Sequence, residues 1–138
     1  MRIFLYYIGK ARDAALNAYA AEFLKRSGRW ATCEMREIDE GRFDWTRHRT
    51  ARKVFLDPAG KAMDSASFSQ LFAVHEQDGR DLVFLVGAHE GLTAAQRQIA
   101  DQLLSLSPMT FSHELARAVL AEQIYRALAT LRNHPYIR

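Results

Sequence analysis

Cysteine is almost absent from this chain: Cys33 is the only one in 138 residues. No intrachain disulfide can form and no multi-cysteine zinc site can be built, and a cytoplasmic protein is the expectation. Long apolar runs are missing too. None approaches the ~20 residues that a transmembrane helix needs, so no membrane partner is expected. The opening stretch MRIFLYYIGK reaches glycine and lysine where a signal peptide would continue toward a small-residue cleavage site, and it reads as a first strand. Missing motifs exclude several chemistries. There is no G-x-x-x-x-G-K-[ST] phosphate loop, no dinucleotide fingerprint around Gly87 and Gly91, and no G-x-S-x-G elbow. His113-Glu114 begins like the helix of a zinc protease, but Arg117 stands where the second histidine is needed, so no metal is expected. Cys33, inside an expected strand, reads as core rather than nucleophile.

What is present is an ordinary globular composition, with 49% hydrophobic and 25% charged residues, in a length that suits one domain over 1–138. The formal charge is only +3, but fifteen of the nineteen basic residues are arginine. Arginine's planar fork matches phosphate and stacks on bases, which leans toward a nucleic-acid partner. Between Glu40 and Thr50 no clean period exists; Arg42, Arg47, His48 and Arg49 lie there, followed by Arg52 and Lys53. This stretch reads either as a solvated loop or as a phosphate-contacting surface.

Apolar periodicity alternates between strand and helix along the chain. Strands are expected at Arg2 to Ile8, Thr32 to Ile38, Lys53 to Leu56, Leu82 to Val86 and Leu103 to Leu106. Helices are expected from Asp13 to about Arg26, from Asp64 or Ser65 through His75, from Thr93 to about Ala100, and from about Ser112 to Leu131. His75 reads as a helix-surface or interface residue rather than a ligand. The alternation implies an α/β fold with a largely parallel sheet and helices on both faces. Its centre is DLVFLVGAHEG, Asp81 to Gly91, a strand apolar throughout that breaks at Gly87. Gly87 and Gly91 would let bare backbone approach a ligand, although an ordinary strand-to-helix turn has the same look. Three loops, 57–61, 87–91 and 107–111, leave the same ends of their strands, where ligands bind in such sheets. If those strands are neighbours, the loops wall one pocket, and backbone with apolar side chains suits a small amphipathic cofactor containing an adenine.

Five segments carry a resemblance: LDPAGK at Leu56 to Lys61, LVGAHEGL at Leu85 to Leu92, LSLSPMTFSHELAR at Leu104 to Arg117, AEQIYRA at Ala121 to Ala127, and the terminal NHPY. In order and spacing they resemble the RlmH-type methyltransferases of the SPOUT superfamily, over nearly the whole chain. The resemblance implies a C-terminal trefoil knot and S-adenosylmethionine-dependent methylation of N3 of a pseudouridine in large-subunit (23S) ribosomal RNA. It implies cofactor contacts from Leu56, Gly87, Leu106, Ser107, Pro108, Met109, Thr110 and Phe111. His134 and Tyr136 would orient the base by hydrogen bonding and stacking. Arg117, Arg126 and Arg132 would contact phosphate.

The chain departs from the family pattern at two places. Ala88 and His89 stand where the family usually has a second glycine followed by proline or serine, and Ile137 replaces a final histidine. An alanine would carry strain if position 88 needed positive φ. The last helix carries Leu115, Val119, Leu120, Ile124, Ala127, Leu128 and Leu131, a broad apolar surface that one subunit could bury or that fits the family's homodimer. The competing reading, encouraged by Ile137, is a non-catalytic ribosome- or RNA-binding module of the same fold.

Overall fold

The computed structural model describes residues 1–137. Among them, strands β1 (Arg2–Tyr7), β2 (Thr32–Glu37), β3 (Arg52–Ala62), β4 (Leu82–Val86) and β5 (Gln102–Ser105) form one five-stranded sheet. The order is β2-β1-β4-β3-β5 and every pairing is parallel. Helices α1 (Ala14–Ser27), α2 (Ser65–Asp78) and α3 (Ala94–Ile99) link successive strands, and α4 (His113–Leu131) follows β5. The α/β fold with helices on both faces is therefore the one that alternation implied.

Each helix starts where a side chain can satisfy its orphan amides. Asp13 accepts from Leu16 N at 3.0 Å, Asp64 from Ser67 N at 2.7 Å, and Ser112 from Leu115 N at 3.2 Å. Thr93 and Gln96 close a reciprocal capping box on α3. The end of α4 was not foreseen in detail. Asn133 adopts φ 51°, and the amides of Asn133 and His134 donate to Thr130 O at 3.2 Å and Ala129 O at 2.9 Å. This Schellman ending needs a left-handed residue, which asparagine tolerates, and it turns the chain back so that Pro135–Ile137 lies against the helix it has just left.

Every residue of β4 is buried, which is why its sequence lacks alternation. On one sheet face Leu5, Val54 and Phe84 pack against Phe68 and Phe72 of α2 and Leu120, Ile124 and Leu128 of α4. Each such side chain contributes about 1.5–3 kcal/mol by leaving water. On the other face Phe4, Tyr6, Phe55, Val83 and Leu85 are covered by Ile99 and by Phe43 and Trp45 of the segment before β3. That segment is divided. Arg42, Arg47 and Arg49 are solvated, but His48 and Lys53 point inward. Tyr6 Oη and His48 Nε2 are 2.7 Å apart, and burial pulls the imidazole pKa down. His75 is buried against the Asp78 carboxylate at 3.1 Å, not a surface residue. Cys33 is half-buried and its thiol is pushed up to about 12 by burial, as suits a packing residue.

The expected turn after Leu56 is instead a bulge inside a longer strand. Pairing of β3 with β5 runs to Leu56↔Leu104, shifts, and resumes at Lys61↔Leu104. Gly60 sits at the crossing: a Cβ there would lie 2.6 to 2.7 Å from backbone atoms of Leu103 and Leu104.

A polar clamp joins α1 to α4. Glu114 accepts from Arg12 N at 2.7 Å, Asp13 N at 3.0 Å and Asn17 Nδ2 at 2.9 Å. These donors, the two amides first, lower its pKa from 4.5 to about 2.

Two stability tests follow from these contacts. An alanine in place of glycine at an open site stabilises by about 0.4–1 kcal/mol through the unfolded chain. Gly60→Ala meets unyielding backbone and should lose about 1–3 kcal/mol in urea unfolding, whereas Gly41→Ala, with nothing within 4 Å, should be neutral or better. The Glu114 carboxylate binds its proton more weakly folded than unfolded, so its contribution is complete above about pH 5 and is lost as pH falls toward about 2. Acid titration of Tm should therefore be flatter in Glu114→Gln than in the parent over that window.

Candidate functional site

Because β4, β3 and β5 are adjacent and parallel, their carboxyl ends open on one edge of the sheet, and the three loops converge there. They enclose a cavity of about 430 Å³, within the range typical of small-molecule sites. Leu56, Asp57 and Pro58 come from the bulge, Gly87, Ala88, His89 and Gly91 from the second loop, and Leu106, Ser107, Met109, Thr110 and Phe111 from the third. Of the residues expected to touch a cofactor, only Pro108 lies outside this lining. Asp57 and His89 lay within the expected loops but were given no contact role from sequence, and the α4 pair His113 and Ala116 were not expected at the site. His113 was legible only as part of a failed zinc motif; its place at the start of the helix that follows the third loop was the available signal.

Each loop is braced locally. Asp57 is buried, accepts from Ala59 N at 2.8 Å and pairs with Arg97 of α3 at 2.9 Å, so its carboxylate is already compensated. Gly91 N donates to Ala88 O at 2.8 Å, closing the second loop as a tight turn. The positive φ falls on Gly91, at 88°, and not on Ala88. The alanine that replaces a family glycine is thus unstrained. Gly87 is buried, and a Cβ on it would sit 3.0 Å from Gly91 C and 3.1 Å from Leu92 Cδ2. In the third loop Ser105 Oγ donates to Ser107 O at 3.0 Å, and Met109 N donates to Ser107 Oγ at 3.0 Å. Met109 is 76% exposed and forms the lip.

The tail lies elsewhere. Nineteen residues of α4 separate Ser112, at the cavity, from Arg132, a span of about 28 Å. His134 meets Trp30 edge-on at 5.3 Å between centroids, and its Nδ1 accepts from Tyr136 N at 3.2 Å. Tyr136 packs on Tyr125 and donates to Glu122 Oε2 at 2.6 Å. Burial first, and then the Glu122 carboxylate, push its phenol up to about 12. Within one chain the tail residues and the cavity are not brought together.

The three expected phosphate contacts are not free surface cations either. Arg117 is fully buried, its guanidinium 3.5 Å from the Tyr7 ring centroid and hydrogen-bonded to Asn17. Its Nε and Nη2 find no hydrogen-bond partner among the described residues. Burial lowers its pKa, opposed by Tyr7 and Glu114. Direct phosphate contact by Arg117 is thus incompatible with this packing, because the group lies beneath the surface. Arg126 is paired with Glu122 at 2.8 Å, and Arg132 with Glu76 at 2.8 Å.

No helix among the described residues is long and apolar enough to cross a membrane, and no group of three potential metal-ligating side chains occurs among them.

Residues 1–136 match the family model described as "Predicted SPOUT methyltransferase". The chain is 63% identical over 139 residues to the ribosomal RNA large subunit methyltransferase H of Solibacter usitatus (strain Ellin6076), covering all of both chains. It is 37% identical over 138 residues to the protein of that name from Thermus thermophilus, covering 100% of this chain and 99% of the relative. Among solved structures, a probable methylase family protein from Haemophilus influenzae Rd KW20 superposes with a TM-score of 0.65 at 11% identity, over 95% of this chain and 68% of its own. A probable methyltransferase from Bordetella pertussis Tohama I gives 0.63 at 13% identity, over 92% and 94%. These two likenesses speak for the fold alone; the family model over residues 1–136 and the full-length match of sequence place the chain in the SPOUT methyltransferase family.

Proposed function

We propose that this methyltransferase takes its methyl group from S-adenosylmethionine and places it on N3 of a pseudouridine in large-subunit (23S) ribosomal RNA. The observation that carries the reading is the meeting of three loops around one cavity, in a chain whose 63% identical full-length relative bears the name ribosomal RNA large subunit methyltransferase H. The lining fits the cofactor. Leu56, Leu106 and Met109 offer apolar cover for an adenine, and the loops offer backbone donors and acceptors for its edge. Gly87 forms a cradle that a Cβ would fill. Ser107, Thr110 and Phe111 complete the wall, while Pro108 acts from behind by stiffening the loop.

The cofactor supplies a methyl on a sulfonium, open to in-line displacement. The protein's part is alignment of the acceptor nitrogen and management of the proton it loses. His134 and Tyr136 orient the base in this reading, and Arg126 and Arg132 reach phosphate by exchanging their carboxylate partners. Arg117 supports Tyr7 from below instead.

Neither His134 nor Tyr136 lines the cavity of its own chain, and Tyr136 is held back on Glu122 of α4, which supports service to a neighbour's cavity in a homodimer. The groove between α1 and α4, lined by Ala15, Leu16, Tyr19, Leu115 and Val119, offers the apolar seam, with Tyr19 and Leu115 exposed. A second copy laid antiparallel along it brings each tail toward the other cavity. We infer too that the segment after β5 is threaded as the trefoil knot the resemblance implies; the close approach of Gly60 to Leu103 and Leu104 supports a crossing there. One sheet with helices on both faces supports a single domain, and a cytoplasmic location agrees with the substrate.

Tritiated-methyl transfer to ribosomes or ribosomal RNA lacking the modification, followed by nucleoside analysis, should yield N3-methylated pseudouridine. No incorporation into any RNA would sink the enzyme reading in favour of a binding module. Light scattering at micromolar concentration should give twice the chain mass. Leu115→Glu should halve that mass and abolish transfer while leaving calorimetric cofactor binding within about threefold of the parent; an unaltered dimer with full activity would remove the seam.

A further inference from the structure

The loop between β1 and α1, residues 9–13, contributes nothing to the cavity wall but stands beside it. We propose that Lys10 and Arg12 on this loop hold backbone phosphates of the RNA next to the base that enters the cavity. This rests on the methyl-transfer reading above and adds to it the side on which the polynucleotide lies.

Sheet order sets the position. β1 runs parallel beside β4, so the loop after β1 leaves the same edge as the loop at Gly87. Ile8 N donates to Val86 O at 3.2 Å and joins the two strand ends. From the other side α4 completes the placement: His113 and Ala116 line the cavity, while Glu114 between them takes the amides of Arg12 and Asp13. Gly9, at φ 94°, makes the turn that allows both attachments. The loop backbone is therefore fixed at the cavity rim.

Its cationic side chains are not fixed. Lys10 and Arg12 are exposed, and neither has an ion-pair partner among the described residues. Nearby arginines differ: Arg97 neutralises Asp57, and Arg117 is buried on Tyr7. Two unpaired cations on a rigid backbone suit phosphate, which gives register without reading sequence. On the far side of the loop Glu37, Asp39 and Glu40 line an acidic hollow with Ile8 and Gly9. Those carboxylates repel a phosphate backbone, which confines it to the cavity side of the loop.

The test measures RNA binding against salt for the full chain, a Lys10→Ala/Arg12→Ala variant, and Lys25→Ala. Lys25 is an exposed charge near the other end of α1. The probe is ribosomal RNA lacking the modification. Each phosphate contact contributes about 0.7 to 0.9 to the slope of log affinity on log salt, so the double variant should lose about 1.4 to 1.8. Its KM for RNA should rise severalfold with kcat and calorimetric cofactor affinity unchanged, and Lys25→Ala should keep the parental slope. An unchanged slope in the double variant, or an equal loss per charge in Lys25→Ala, overturns the proposal. A changed mass in light scattering also overturns it, because the loop would then be a subunit contact. The two readings separate cleanly: methyl transfer with a slope indifferent to Lys10 and Arg12 sinks only this one. RNA binding that depends on them in a parent chain that transfers no methyl sinks only the enzyme reading.

Discussion

The placement of β3 between β4 and β5, all three parallel, is the constraint on which the rest of the site depends. Parallel strands send their carboxyl ends to one edge, so loops far apart in sequence emerge side by side. Adjacency alone would give a row of turns. The bulge after Leu56 bends the first of them inward, and it forms only because Gly60 lets the β3 backbone come against Leu103 and Leu104. Removing that freedom would push β5 away and carry the third loop with it. Packing in the strand layer and the shape of the cavity are thus one property.

Charge is arranged around the cavity rather than in it. The only carboxylate in the lining, Asp57, is compensated by Arg97 and by a backbone amide. Glu114 faces away from the lining toward α1, and its three donors keep it ionised far into acid. Arg117 spreads its cation over the Tyr7 ring, a contact that in a desolvated setting is worth about 2 kcal/mol. The cavity therefore offers shape, apolar cover and backbone polarity rather than charge, and the charges around it brace the loops.

Much of this was legible in the residues. The apolar run Leu82 to Val86, the caps Asp13 and Thr93, and the glycine pair at 87 and 91 each follow a local rule, and local rules survive folding when nothing competes. Where tertiary contacts compete, the sequence was silent. Nothing in LDPAGK distinguishes a turn from a bulge, because the difference lies in what β5 does across the sheet. His75 and Arg117 have polar identities, yet they are buried because a carboxylate three residues away and the Tyr7 ring at the end of β1 receive them. Asn133 looked like part of a motif; its backbone angle shows that it also ends a helix.

α4 then acts as a ruler. Its first turn lines the cavity and its last releases the tail, and a straight helix of that length keeps the two ends apart in any single chain. The tail does not trail into solvent: Trp30, Tyr125, Glu122 and Arg126 receive His134 and Tyr136 on the outer side of the same helix. Held this way the tail has little conformational entropy left to lose, since its rings are already packed in place. A groove of exposed apolar residues runs alongside, and Glu122 belongs to both. One carboxylate thus both orders the tail, through Tyr136, and lines the groove, so the tail and the groove form one continuous face of the chain.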